Sequence, residues 1–403
     1  MYREKIVLET TKRVVQIEEN RLKRFGKETV TDTSYRVYDG TYAGIQYVQG
    51  RSDEEQGYQK AEDNLRLKRP YKFTPETGSR HRDKTEAVYT DGELMDIARE
   101  IVGYLSERHP DYMFLGEVTC SRAVKSMNNS LGLDYSDTDG NTATSFYFKH
   151  KDSKDMVDGI IELSQRKFEM KKFTDMMENF LDHFTDKVEL PEELIIQQQY
   201  YGMLGKFYES LDAEKMALGT SLLSGKTGQK VFSDRFTLAH DVSDKYCWCT
   251  SFFDGEGVTL PGDRRVYIEN GVILSGYADK YTADKYGVPH TGSAVTNMSD
   301  IPSNGQVNFQ IDRSDKTIKE LLGGRLSVVP ILASGGGFND RGEYVTPVQT
   351  ALLCDGERII GRLPEFTMRS DVFHMFGDGF IGVGSDDPVF NDKTILMKMS
   401  YGK

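Results

Sequence analysis

The sequence predicts an α+β fold: an N-terminal α/β region followed by a mainly antiparallel, β-rich C-terminal domain of barrel-like or layered form. Three observations predict it. Strand-like runs and amphipathic helical stripes alternate as far as Phe184. Beyond Leu223 the chain is mostly short β-rich runs separated by glycine turns. Asn270-Gly271, set between Val266-Tyr-Ile268 and Val272-Ile-Leu274, is the strongest two-residue hairpin signal in the chain. The change of style near Pro191 divides the chain into residues 1–190, an N-terminal α+β domain, and residues 191–403, a C-terminal β-rich domain.

The elements follow in order. Ile6-Val-Leu8 and Val14-Val-Gln-Ile17 read as short strands. Tyr35–Tyr38 and Tyr42–Val48 flank Asp39-Gly40 as a hairpin. Ser52-Asp-Glu-Glu55 reads as a capping box, with Tyr58, Ala61 and Leu65 on one helical face. Residues 66–88 carry many charges and two prolines, so a crossing loop is expected. Leu94, Ile97, Ile101, Tyr104 and Leu105 recur at helical spacing. Val118–Lys125 and Thr142–Lys149 read as strands around Asn129-Ser-Leu-Gly132. Two helices are expected next, one about Met156–Phe168 and one carrying the stripe Phe173, Met176, Met177, Phe180, Leu181 and Phe184. Beyond residue 190 the expectation is a strand at Leu194–Gln198, a helical stretch Met203–Leu223, a strand Tyr344–Leu353, and short helices at about 278–286 and 315–322.

Composition excludes several classes. Lys plus Arg number 51 against 63 Asp plus Glu, a net charge of −12 over 403 residues, which argues against nucleic acid or an anionic membrane surface as the main partner. No apolar run approaches membrane-spanning length, and Met1–Lys5 opens no secretory signal. Four cysteines do not make a disulfide framework, so a cytoplasmic location is expected. The 21 Phe and 22 Tyr residues are enough for a sizeable core.

Isolated motifs carry little. Gly219–Thr227 has five residues between its glycines and follows a helix, so it would not cradle phosphate. Gly377-Asp-Gly379-Phe-Ile-Gly382 runs into Ser385-Asp-Asp-Pro388, which cannot open the helix a dinucleotide loop needs. Ser164-Gln-Arg-Lys167 sits on what reads as a charged helix face, without the supporting motifs of a serine–lysine site. The run Arg66, Lys68, Arg69 and Lys72 with Tyr71 and Phe73 reads as a solvated loop. Cys247 and Cys249 would share one face of a strand. A metal there would need two more ligands, and His240 and His290 stand at no recognised spacing.

The ordered set of turns nevertheless resembles a known family. Glu19-Asn20, Tyr35–Gly40 and Tyr42-Ala-Gly44 resemble the start of the TldD/PmbA proteins, described as modulators of DNA gyrase. Asn129–Gly132 is similar to a turn in their middle segment. Phe253–Val258, Val266–Leu274, Tyr277–Gly287 and His290–Ala294 continue the likeness, which extends over roughly residues 18 to 384. The resemblance implies an α+β region, a β-rich C-terminal domain and dimers. One branch, TldD, carries zinc on His-Glu-x-x-x-His and a late cysteine, where the glutamate serves as general base. Here the matching helix, Gly202–Asp212, has no histidine. Lys206 and Leu211 fall about where the ligands would sit, and the late segment Gly377–Gly384 has no cysteine. The chain thus resembles the PmbA/TldE branch.

The expected function is a subunit of a TldD/PmbA-type metalloprotease system acting on unfolded peptides, with no cofactor of its own. Zinc is then expected only in a TldD-like partner, or the chain forms a homodimer. Asp254, Gly255, Glu256, Gly257, Thr291 and Gly292 are the candidate residues near a substrate chamber. Their plain alternative is the shaping of β turns. Two rival readings are a stand-alone homodimeric hydrolase, motivated by Cys247 and Cys249, and a regulatory protein-binding module.

Overall fold

The computed structural model describes residues 1–72, 74–243, 248 and 250–402. The N-terminal sheet is built on long strands. β1 (Tyr2–Glu18) and β2 (Arg21–Tyr38) form one continuous hairpin where short strands were expected. The polar stretch Thr10-Thr-Lys-Arg13 breaks the apolar run without breaking the ladder, because β2 and a later strand bond it on both sides. The turn is Glu19-Asn20, both with positive φ (50° and 58°), which matches the strands' right-handed twist. β3 (Tyr42–Gln49) follows Asp39-Gly40 as expected.

Helix α1 (Glu54–Asp63) begins one residue later than a Ser52 cap would require. Asp53 is the cap, accepting from the Gln56 amide at 2.9 Å. The segment read as a loop contributes two strands, β4 (Arg69–Pro70) and β5 (Gly78–Asp83). Helix α2 (Asp91–Arg108) has a full capping box, Thr90 with Glu93, and buries Leu94, Ala98, Ile101 and Leu105. β6 (Tyr112–Asn129) and β7 (Leu133–His150) are paired over almost their whole length. β7 then takes β5 as parallel neighbour along its first half and β8 (Gly159–Gln165) along its second.

β8 corrects the helix expected at Met156–Phe168, and with it the helical placement of Ser164–Lys167. Ile160-Ile-Glu-Leu163 satisfies either period. The free half-edge of β7 decides, and Gly159, Ile161, Leu163 and Gln165 are buried at period two. Helix α3 (Met170–Leu181) carries the expected stripe inward.

The second half holds the remaining strands. β9 (Leu194–Gln199) leads into α4 (Gly205–Ser210) and α5 (Ala213–Ala217), two short helices where one long one was expected. β10 (Leu238–Asp241), β11 (Arg264–Glu269), β12 (Val272–Ile273), β13 (Ala294–Val295), β14 (Ser303–Asn304) and β15 (Phe309–Ile311) form two small sheets, with α6 (Lys280–Tyr286) between them in sequence. Then come α7 (Ile318–Leu322), β16 (Ser327–Ala333), β17 (Gly337–Phe338), β18 (Glu343–Cys354), β19 (Ile359–Arg362), β20 (Phe366–Asp371), α8 (Val372–Phe376), β21 (Phe380–Val383) and β22 (Thr394–Gly402). The order β16-β9-β22-β20-β18 closes into a five-stranded barrel through the β16–β18 pair. The whole is 43% strand and 20% helix, an α+β fold dominated by antiparallel sheet.

The sheets part between β8 and β9, but the hydrophobic core does not. One buried cluster joins Phe114, Phe146, Phe173 and Phe180 to Ile331, Leu352, Cys354 and Val389 of the barrel half. A second lies within the barrel half itself.

Candidate functional site

The Asp254–Gly257 turn is a brace inside a polar seam between the two halves. Asp254 accepts the amides of Glu256 and Val258 on Oδ1, at 2.8 and 2.9 Å, and that of Ala294 on Oδ2 at 2.9 Å. Burial raises its carboxyl above the usual range, and the three amides oppose that rise. Gly255 is required by proximity, because a Cβ there would lie 2.4 Å from the Val295 carbonyl oxygen. Gly257 is required by its φ of +76°.

Glu256 accepts the Tyr71 hydroxyl on Oε1 and the Lys280 amide, at 3.0 Å, on Oε2. Burial pushes its carboxyl up to about 8, with the charge of Asp254 adding to the rise. Thr291 accepts from the Ala278 amide at 2.8 Å and donates to the Ala278 carbonyl at 3.1 Å. Gly292 turns at φ +66° against Val258 and Leu260. All six sequence-predicted residues are buried.

The N-terminal sheet grips this turn with residues that the sequence reading passed over. Arg36, on β2, is wholly buried. It donates to Glu4 at 3.2 Å, to the Gly255 carbonyl at 2.8 Å and to the Asn297 carbonyl at 2.7 Å. Tyr71, read as part of a solvated basic loop, is instead buried on Glu256. Lys280 reaches back to Glu76 and to the Thr74 carbonyl, both at 2.6 Å. The available signal was the arginine inside the otherwise β-rich run Tyr35-Arg-Val-Tyr38. A buried charge that spans two sequence-distant segments leaves no local pattern.

The two segments that the resemblance assigns to a metal are bridged by Phe236 and by Phe376, which immediately precedes the late segment. The bridge is made of aromatic rings. Phe207 on α4 packs against Phe376 of α8 at 4.8 Å between ring centroids, and against Phe236 at 5.4 Å. Phe236 in turn contacts Phe380, in the late glycine-rich segment, at 5.4 Å. Lys206 donates to Glu209 at 2.6 Å, and Leu211 is fully buried in the barrel-half core. This set offers ring faces and an ammonium where a zinc ion would need imidazole or thiolate, so these residues do not fit one. Among the described residues no group of three His, Cys, Asp or Glu could hold a metal ion. Cys247 and Cys249 lie outside the described residues. His240 is buried with Nδ1 accepting the Asn308 amide at 2.9 Å.

Residues 193–396 match the family model described as the PmbA/TldA metallopeptidase C-terminal domain. The chain belongs to the PmbA/TldD family. The PmbA/TldD fold extends through both halves. TldE from Thermococcus kodakarensis superposes with a TM-score of 0.83 at 19% identity, over 99% of this chain and 96% of that one. A protein from Thermotoga maritima, described as a candidate modulator of a DNA gyrase, superposes with a TM-score of 0.81 at 18% identity, over 100% and 96%. In sequence, a protein of Methanothermobacter thermautotrophicus named metalloprotease is 29% identical over 178 residues, 43% of this chain and 38% of that protein. A Methanocaldococcus jannaschii protein is 23% identical over 167 residues, 41% and 39%. These matches span about two fifths of the relatives' own length.

Proposed function

We propose that this PmbA/TldD chain is a TldE-like subunit of a metalloprotease system acting on unfolded peptides, and that a TldD-like partner supplies the zinc. The observation that carries the reading is the aromatic bridge from α4 to the late segment, in which Phe207 packs on Phe236 and Phe376 and Phe236 packs on Phe380. A position filled by packed rings contributes stability and has no lone pair to give a metal. Family membership and the metalloprotease-named relative support a protease system at the level of the family. The location proposed is the cytoplasm. No helix among the described residues is long and apolar enough to cross a membrane, and the two described cysteines, Cys120 and Cys354, are free.

The test mixes this chain with a TldD-like protein carrying His-Glu-x-x-x-His. The expected result is a stable complex, hydrolysis of an unfolded polypeptide only in the mixture, and zinc recovered with the partner. A chain that hydrolyses peptide alone, or that retains zinc stoichiometrically after gel filtration, overturns the reading.

A further inference from the structure

A cavity of about 330 Å³ lies beside the polar seam, at the lower end of the range for small-ligand sites. Leu8 and Lys125, direct cross-strand partners on β1 and β6, line one side of it. His240, Ser251 and Gln306 of the other half also line it. Three of the polar side chains that line it offer donors: Lys125, His240 and Gln306. Lys125 spends one hydrogen on the Phe253 carbonyl at 3.1 Å, which leaves two on its ammonium.

The buried His240 accepts the Asn308 amide on Nδ1, so its neutral ring carries the proton on Nε2 and can only donate from that atom. Burial holds it down at about 4, which keeps it neutral. Gln306 accepts the Thr296 hydroxyl on Oε1 at 3.3 Å, which leaves its amide nitrogen as a donor. Among the described residues no Asp or Glu lines the cavity, in a chain of net charge −12. Leu8, Met298 and Val307 supply an apolar wall.

We propose that this cavity binds a carboxylate, paired to Lys125 and hydrogen-bonded by His240 Nε2 and Gln306, with the small apolar group that bears it against Leu8, Met298 and Val307. The volume suits one residue, so the source is the C-terminal residue of a peptide or a free small carboxylic acid. Burial lowers Lys125 to about 8; Asp254 and Asp137 pull it up and Arg36 pulls it down, while the facing His240 is neutral. A bound carboxylate adds an opposite charge at contact distance and favours the ammonium, so binding weakens once the pH exceeds about 8.

Isothermal titration calorimetry of the whole chain, without partner or metal, tests this with acetyl-Ala-Ala-Leu, its C-terminal amide and acetate. The expected result is binding of the acid, at least about tenfold weaker binding of the amide, and a fall of about tenfold for the acid between pH 7 and pH 9.5. Lys125→Met is expected to abolish acid binding. Acetate displacing the peptide at similar concentration supports the site with a free acid as occupant; peptide binding that acetate does not match supports the peptide end. Equal affinity for acid and amide, or no binding of any probe, overturns the proposal. The acid–amide comparison is made on the wild-type chain and decides the matter even where Lys125→Met fails to fold. It is also independent of the subunit reading, which stands or falls on hydrolysis with a partner.

Discussion

Glu256 sets a pH dependence into the seam. Its carboxyl is pushed from near 4.5 up to about 8 by burial, and the neighbouring Asp254 is raised in the same direction. The folded state therefore binds this proton more tightly than the unfolded chain. The stability it contributes is complete below about pH 4.5 and is lost as pH climbs through about 8. Glutamine keeps the shape of a neutral Glu256 and does not titrate. Thermal melts between pH 5 and pH 8.5 are expected to show the wild type losing on the order of 4 kcal/mol more than Glu256→Gln. Parallel curves for the two proteins would show that the group does not hold its proton. At this scale the sequence marked Asp254–Gly257 as a turn but left Arg36 and Tyr71 unseen, because what makes them matter is a partner some 185 to 219 residues away.

Among the elements, α2 and β8 show where local pattern suffices and where it fails. Thr90, Glu93 and the stripe Leu94, Ala98, Ile101 and Leu105 specify α2 unaided, since cap and face agree. β8 is seven residues whose apolar spacing fits helix and strand alike, so only the open edge of β7 selects between them. The stretch from Met203 to Leu223 errs the other way. Asp212 caps a new helix with its carboxylate, accepting the Glu214 amide at 2.8 Å, and thereby ends the one before it. Within that stretch α4 is anchored by Phe207. Phe207→Ala is expected to cost about 3–5 kcal/mol in chemical denaturation and to leave metal content at background. A loss below about 1 kcal/mol would mean that the aromatic contact is not what holds α4 in place.

Over the whole molecule, the sheets separate between β8 and β9 while one core cluster crosses that boundary. Ile331, Leu352, Cys354 and Val389 pack with Phe114, Phe146 and Phe180 across it, and Arg36 and Tyr71 bond across it to the 254–257 turn. Joined cores unfold together. Scanning calorimetry is expected to give a single transition, and two well-separated peaks would show two independent domains.

By itself the sequence determined the class of the fold, the main hairpins at Asp39-Gly40 and Asn270-Gly271, the helices α2 and α3, and the family resemblance. All of these rest on turn chemistry and periodicity that a short window contains. The tertiary structure alone decided three things: β8 as a strand, the aromatic bridge from α4 to the late segment, and the gathering of Leu8, Lys125, His240 and Gln306 around one cavity. Each depends on residues separated in the chain whose burial, charge and hydrogen-bond partners exist only once the chain has folded, and the cavity further requires the two halves to close on one another.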